Sequence, residues 1–437
     1  MRATKSVTRA VAIMACLAVF LATTAHAADD LEARAEAGLK KAGDYLCSIS
    51  VNGGYPGTYS VDLATRYGEG HSRVSKTEIW VQPPGTPSVG GQLLHAWRAT
   101  GDRSFLDGAI EAARALAWCQ RKSGGWPYVA DVGGLKPDTI RKNRPGGYCT
   151  FDDNVTQQAL SFLMEVDREV DRDWLDAAIE RGLKFMRKSQ FDNGAWPQRY
   201  PLTGGYSDYY TYNDNAINDC IRVLLEAHRH YGDEASLRAA EKGGSFIIES
   251  QLDPPQAGWG QQYSHDMKPA WARGFEPPGV CSAVTARNIR TLVRLYLYTG
   301  DERYLEPIPD AIDWLESSTI GESRWARLYE VGTNRPVYGD REDPRKKHYD
   351  YEEVSRRERT SYAWQGSYGI ASAIRYYESA RDAGTEKRQV MKERIFERDS
   401  DAHSDQVRRV LEAQDEKGRW ITNGEIRMRT FVQNMKV

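Results

Sequence analysis

A short aromatic turn recurs roughly every seventy residues, and this repetition restricts the fold more than anything else in the chain. It reads GGYP at Gly53, GGWP at Gly124, NGAWP at Asn193, AGWG at Ala257, SRWA at Ser323 and KGRW at Lys417. With Tyr55, Trp126, Trp196, Trp259, Trp325 and Trp420 as markers, the intervals are 71, 70, 63, 66 and 95 residues. Most markers follow a stretch of helical period, such as LDGAIEAARALAWCQ or LDAAIERGLKFMRKSQ, with apolar residues three and four apart. A second helical stretch follows each turn, such as NVTQQALSFLMEV or NAINDCIRVLLEAHRHY, and links such as ATGDRSF and YTGDERY suit the joints of antiparallel helices. Each unit is therefore a helical hairpin. Linear solenoids usually keep shorter and more even units, so irregular spacing and long connections predict an all-α (α/α)3 toroid. In such a fold the long loops collect at one end, where a rigid scaffold presents them. Residues 28–437 read as a single domain, with a charged helix from Ala380 before the last hairpin.

The first 27 residues read separately. Arg2, Lys5 and Arg9 precede an apolar run from Val11 to Thr23, and Ala25, His26 and Ala27 form a small-x-small cleavage site. The run is too short to span a bilayer, so it predicts a secretory signal and a secreted or periplasmic protein with no membrane anchor. Removing its three basic residues moves the formal charge from −2 to −5, a balance that does not suit nucleic acid. Cys47, Cys119, Cys149, Cys220 and Cys281 are too widely spaced for a zinc pattern and too few for a disulfide framework. One or two bridges remain open in an oxidising compartment, and a monomer is expected.

The long connections carry the chemistry. TFDDNVT and TYNDNAI are one element in successive repeats, which aligns Asp153 with Asp214 and puts Asp152 one step earlier. Helix capping accounts for either run alone. Adjacent repeats should bring both runs to the same end, however, and hard oxygens converging from two loops suit calcium held by Asp152, Asp153 and Asp214. The next connections hold Arg273 and then Arg327, Arg335, Arg341 and Arg359 among aromatics, including Trp271. A cationic, aromatic-lined groove beside an acidic pocket suits an extended acidic polysaccharide.

GWGQQYSHDMKPAWARGFEPP, WARLYEVGTNRPVYGDR and the paired TFDDN and YNDNA runs resemble polysaccharide lyase family 10, the pectic acid lyases, from Val81 to Ser379. The resemblance implies calcium-assisted β-elimination of polygalacturonate to 4,5-unsaturated oligogalacturonides. It implies Arg273 as catalytic base, Asp152 and Asp214 at the carboxylate site, Asp152 also acting in catalysis, and Arg327, Arg341 and Arg359 as substrate ligands. Arg335 and Trp271 are further substrate-binding candidates. Gly274 departs from the family pattern, which usually places a larger residue there. Cationic neighbours are expected to lower the proton affinity of Arg273, since like charges disfavour the charged form, and to give an alkaline optimum. The rival readings are a lyase or hydrolase for another acidic glycan, with Glu276, Glu330 and the aspartate clusters as nominal carboxylates, and a non-catalytic uronan-binding relative.

Overall fold

The computed structural model describes residues 30–135, 141, 143–396 and 403–437; the segment read as a signal peptide and part of the charged run after Ala380 lie outside them. Where the sequence reads as one domain, the described residues fall into two compact units: residues 30–80, 84–112 and 403–437, and residues 81–83 and 113–396.

Helices supply the frame of both. The first unit holds α1 (residues 30–49), α2 (Thr86–Thr100), the start of α3 (Arg103–Cys119), and later α13 (Ser404–Glu412) and α14 (Met428–Asn434). The second holds the end of α3, then α4 (Val155–Asp167), α5 (Asp173–Lys188), α6 (Ala216–Tyr231), α7 (Glu234–Glu249), α8 (Ser282–Thr299) and α9 (Ile308–Ser317). It ends with α10 (Arg356–Ser361), α11 (Ile370–Arg381) and α12 (Thr385–Arg394). The fold is all-α, of the α/α-toroid type. Inner helices α4, α6 and α8 bury residues around most of their circumference, whereas outer helices α5 and α7 bury one stripe. Joints close on glycines in the left-handed region: Gly101, Gly232 and Gly300 each donate their N–H to the carbonyl four residues back. Helix α12 buries no side chain, consistent with the solvated charged helix read from the sequence.

The markers have a structural reason. Each tryptophan donates its indole N–H to a carbonyl in the last turn of the preceding outer helix: Trp126 to Leu116, Trp196 to Met186, Trp259 to Ile247, Trp325 to Leu315 and Trp420 to Val410, at 2.6–2.9 Å. Leu116 O and Leu315 O also accept the N–H of Gln120 and Ser318 just past their helices, and in each case the indole N–H is satisfied as the ring is buried. A glutamine at the helix end ties several of these turns to the next repeat. The Nε2 of Gln120 reaches Gly124 O and Ala178 O, and that of Gln190 reaches Gly194 O and Ala239 O. The last of the series returns to the beginning of the chain, for Gln414 Nε2 donates to Gly418 O and to Gly38 O of α1. In the same unit an antiparallel sheet pairs Thr58–Ser60 with Glu425–Arg427, in the register Tyr59 opposite Ile426.

Two-residue strands staple the loops in the second unit. Cys149–Thr150 pairs with Arg199–Tyr200, Tyr210–Thr211 with Gln262–Tyr263, and Val280–Cys281 with Leu328–Tyr329. In each case the strand before an inner helix meets the strand after the next marker. The N-terminal ends of α4, α6 and α8 are thereby held beside the following loops. The five described cysteines are free thiols, so neither permitted bridge forms among them. No described helix is long and apolar enough to cross a membrane.

Gly194 shows what the turns demand. Its φ is +95°, and a Cβ there would lie 2.1 Å from Lys242 O, on the next outer helix. Gly232 also has positive φ, +65°, but open space around it. Gly232→Ala should cost about 1–2 kcal/mol from conformation alone. Gly194→Ala should cost at least twice as much, because a backbone carbonyl must move as well. Urea-unfolding midpoints of the two variants measure the difference; equal losses would show that the close approach contributes nothing.

Candidate active site

The two aspartate runs adopt the same backbone. Asp153 and Asn154 have φ of +50° and +59°, and Asp214 and Asn215 have +49° and +64°, all left-handed. The register read from the sequence is thus a register of conformation. The carboxylates do not cap: α4 and α6 begin at Asn154 and Asn215 without a side-chain cap. Capping therefore does not account for these aspartates.

Ligand oxygens of Asp152, Asp153 and Asp214 lie within 4.8 Å of one another. Tyr128 donates its hydroxyl to Asp152 Oδ2 at 2.7 Å and Asp153 Oδ2 at 3.1 Å, and Asn213 Nδ2 donates to Asp214 Oδ2 at 2.6 Å. Asp152 Oδ1, Asn154 Oδ1 and Asn215 Oδ1 are buried and, among the described residues, accept no hydrogen bond. Orphaned buried oxygens call for an explanation, and a hard cation among oxygen donors would supply one. Burial raises the proton affinity of Asp152, and the charge of Asp214 adds to it, against the lowering effect of Tyr128, Gln198 and Arg273. A cation at this point would reverse that balance.

A hydrogen-bond chain leads from the carboxylates to Arg273. Asn213 Oδ1 accepts from Arg327 Nη2 at 3.3 Å, and Arg327 Nε donates to Gln261 Oε1 at 3.1 Å. Gln261 Nε2 donates to Glu276 Oε1 at 3.1 Å, and Glu276 receives Arg273 through Nε at 2.9 Å and Nη2 at 2.8 Å. Arg273 lies 5.1 Å from the Phe275 ring, and Arg341 approaches the same ring at 3.7 Å. Arg327 lies over Tyr362 at 4.9 Å. Two close approaches shape this corner. A Cβ on Gly339 would fall 1.8 Å from Phe275 O, and one on Gly274 would meet Pro344 Cβ at 3.3 Å. The small residue at 274 therefore makes room for the loop that carries Arg341.

The other predicted residues pair elsewhere. Arg359, beside Glu358 on α10, pairs with Glu352 and lies over Tyr351; Arg335 lies over Tyr349 at 4.2 Å; Trp271 lies under Arg345 at 5.3 Å. Arg341 is itself held by the buried Glu358, at 2.5 and 2.6 Å.

The electrostatics of Arg273 run opposite to expectation. Its proton affinity is raised rather than lowered, first by the hydrogen bond to Glu276 and then by that group's charge, which together outweigh burial. The sequence reading counted nearby cations and missed a carboxylate three residues on. Burial pushes Glu276 up, but Arg273, Tyr362 and Arg327 more than offset it and hold it below the ordinary range. An ionised, fully engaged Glu276 is poorly suited to be the general acid of a hydrolase. Glu330 is held at about 2 by Tyr349, Lys347 and Thr333. The two glutamates nominated for hydrolysis are both occupied.

Four residues here stand two positions after a marker: Tyr128, Gln198, Gln261 and Arg327. The repeat register pointed to all four, and only Arg327 was singled out. Asn213, at the register position of Asp152, and Tyr362 were also missed.

Comparison with known proteins follows the same lines. The family model described as pectic acid lyase matches residues 120–323 and 315–374. No curated protein matches the chain. A family 10 polysaccharide lyase from Cellvibrio cellulosa is 25% identical with a TM-score of 0.50, covering 67% of this chain and 97% of that one. An aspartate-to-alanine mutant of a family 10 lyase from the same organism, solved with trigalacturonic acid, is 24% identical with a TM-score of 0.51, covering 67% and 98%. With the family model spanning more than half of its length, the chain belongs to the pectic acid lyases and is a polysaccharide lyase.

Proposed function

We propose that the protein is a secreted pectate lyase that cleaves polygalacturonate by calcium-assisted β-elimination, with Arg273 as the base. The observation that carries this reading is the convergence of Asp152, Asp153 and Asp214 within 4.8 Å of one another, joined by one hydrogen-bond chain to Arg273. The family 10 neighbour solved with trigalacturonic acid supports the substrate class.

Calcium would be held by Asp152, Asp153 and Asp214, and when bound it would withdraw charge from a uronate carboxylate and so acidify the C5–H bond. The chain's own residues do the remaining work. Arg327 is buried, and among the described residues its guanidinium hydrogen-bonds only to neutral amides, Gln261 and Asn213, so its charge would be met by a substrate carboxylate. Arg341, stacked on Phe275, grips the chain further along. Arg273, in its neutral form, takes the C5 proton; the C5 electron pair forms the C4=C5 bond, the C4–O4 bond breaks, and O4 takes a proton from water. Arg273 then returns its proton to solvent. Since Glu276 keeps the resting guanidinium protonated, the rate should climb with pH well into the alkaline range.

Calcium is testable without turnover. Calcium at a hundred times its Kd should stabilise the folded protein by about 2.7 kcal/mol, seen as a rise in Tm. Asp152→Ala and Asp214→Ala should abolish both that rise and the activity while leaving helical dichroism intact. A calcium-induced rise retained in both variants would place the ion elsewhere.

Kinetics separate the arginines. Arg273→Lys and Arg273→Ala should each lower kcat by at least about a hundredfold, since misplacement by about 1 Å already costs that much. Calorimetric affinity for trigalacturonate should stay near wild type. Arg341→Ala should instead raise KM about tenfold, the loss of a charge-assisted hydrogen bond worth about 1.5–3 kcal/mol, and lower Tm because Glu358 loses its partner. Near-normal kcat in Arg273→Lys would remove Arg273 from proton transfer. The assay follows the ultraviolet absorbance of the unsaturated product.

A further inference from the structure

We propose that Glu276 is the positioning residue of this lyase: by holding Nε and Nη2 of Arg273, it fixes the guanidinium so that Nη1 is the nitrogen left to face the sugar. The inference rests on the reading of Arg273 as the base.

The geometry of Glu276 is over-determined. Oε1 accepts from Arg273 Nη2 at 2.8 Å, Gln261 Nε2 at 3.1 Å and Tyr362 Oη at 2.7 Å. Oε2 accepts from Arg273 Nε at 2.9 Å and from the Arg273 backbone N–H at 3.2 Å. A turn closed by Glu276 N donating to Arg273 O at 2.9 Å sets both side chains on one side of the loop. The glutamate is 2% exposed while the arginine side chain is 45% exposed, so the anchor is buried and the anchored group reaches solvent. Among the described residues, Nη1 of Arg273 makes no hydrogen bond. A free arginine side chain carries about 2 kcal/mol of rotamer entropy, and a planar fork already held on one edge loses little more when substrate arrives.

The contrast with Arg359 shows why burial matters. Its partner Glu352 is 74% exposed, and a pair of that kind contributes about 0–1 kcal/mol and fixes nothing firmly. Glu276 has no solvent to turn to.

Positioning also has a cost in proton affinity. The groups acting on Arg273 are Glu276 and Tyr362, with Asp214 in electrostatic reach; Asp152 feels Arg273 in turn, Arg327 lies behind Tyr362, and Arg341 lies across Phe275. Of the anions, Glu276 alone makes direct contact. Replacing it with a neutral isostere should weaken the hold on the proton, so the neutral guanidine forms at lower pH. Removing the Tyr362 hydroxyl takes away one of the three donors that hold Glu276 Oε1 and should loosen the anchor to a smaller degree.

The experiment compares kcat and KM across pH for Glu276→Gln, Tyr362→Phe and Arg273→Lys, using calcium-loaded full-length protein and trigalacturonate. Glu276→Gln should lower the limiting kcat by about a hundredfold with KM within about twofold, and move the rising limb of the profile to lower pH. Tyr362→Phe, which removes one donor to Glu276 Oε1, should lower kcat by a smaller factor with KM within about twofold. If Glu276→Gln fails to give native dichroism, the kcat-against-KM split of Tyr362→Phe decides alone. An unchanged kcat in Tyr362→Phe, or a Glu276→Gln enzyme changed only in KM, overturns the proposal. Should Arg273→Lys be inactive while Glu276→Gln keeps wild-type kcat and limb, the positioning role falls and the base stands. Should Arg273→Lys turn over normally, the base reading falls first.

Discussion

The indole of each marker tryptophan, buried and hydrogen-bonded to a carbonyl at the end of an outer helix, is the contact on which the rest of the structure depends. It fixes the direction in which the chain leaves the helix. Two residues later the backbone has entered the loop layer, and what stands there points to chemistry: Tyr128, Gln198, Gln261 and Arg327. The two-residue strands then register the loops of Gln198, Gln261 and Arg327 against the strand before an inner helix. A fold element with no chemistry of its own thus decides which side chains meet. The aspartates converge because two successive repeats present the same left-handed turn, and left-handed residues other than glycine are uncommon enough that the duplication is a constraint rather than a coincidence.

The second theme is the pre-pairing of charge. Arg273 and Arg341, at one corner of the site, each rest on a nearly fully buried glutamate. Burying a carboxylate is costly unless the partner geometry is good: Arg273 joins two nitrogens to both oxygens of Glu276, and Arg341 Nη1 reaches both oxygens of Glu358. Arg327 differs. It is the buried arginine of the cluster whose hydrogen bonds go to neutral amides, and a desolvated cation in that state is the one with most to gain from an incoming anion. The arrangement divides residues of one type: two arginines are oriented by internal carboxylates, and on the proposed function the third would keep its charge for the ligand.

The fold was legible in the sequence because its signals are periodic. Tryptophan turns, helical stretches and the Gly101 and Gly300 joints repeat, and periodicity survives the reading of a single chain. The aspartate register was legible for the same reason. What escaped were contacts specific to one place. Gln261 and Gln198 look like ordinary polar loop residues until the marker register is applied. Glu276 lies three residues from Arg273, a spacing that a closed turn makes a contact, but nothing in the sequence revealed that the turn closes there. That omission reversed the sign of the expected shift on Arg273. Arg335, Arg359 and Trp271 were grouped with the cluster on composition, and composition carries no information about which aromatic face each arginine covers.

The reversed sign bears on how an arginine is used as a base. A guanidine deprotonates so reluctantly that lowering its proton affinity through neighbouring cations is the obvious design. Such neighbours would also repel one another and loosen the geometry on which proton transfer depends. Here the site takes the other course: a carboxylate holds the group in place and binds its proton more tightly. That choice is tenable only if the acidity of the carbon is supplied from elsewhere, and the three aspartates are where such help would be held. On the proposed mechanism, the hydrogen-bond chain through Asn213, Arg327 and Gln261 would set the distance between the group that acidifies the proton and the group that receives it. Neither Asp214 nor Glu276 can shift without disturbing the links between them.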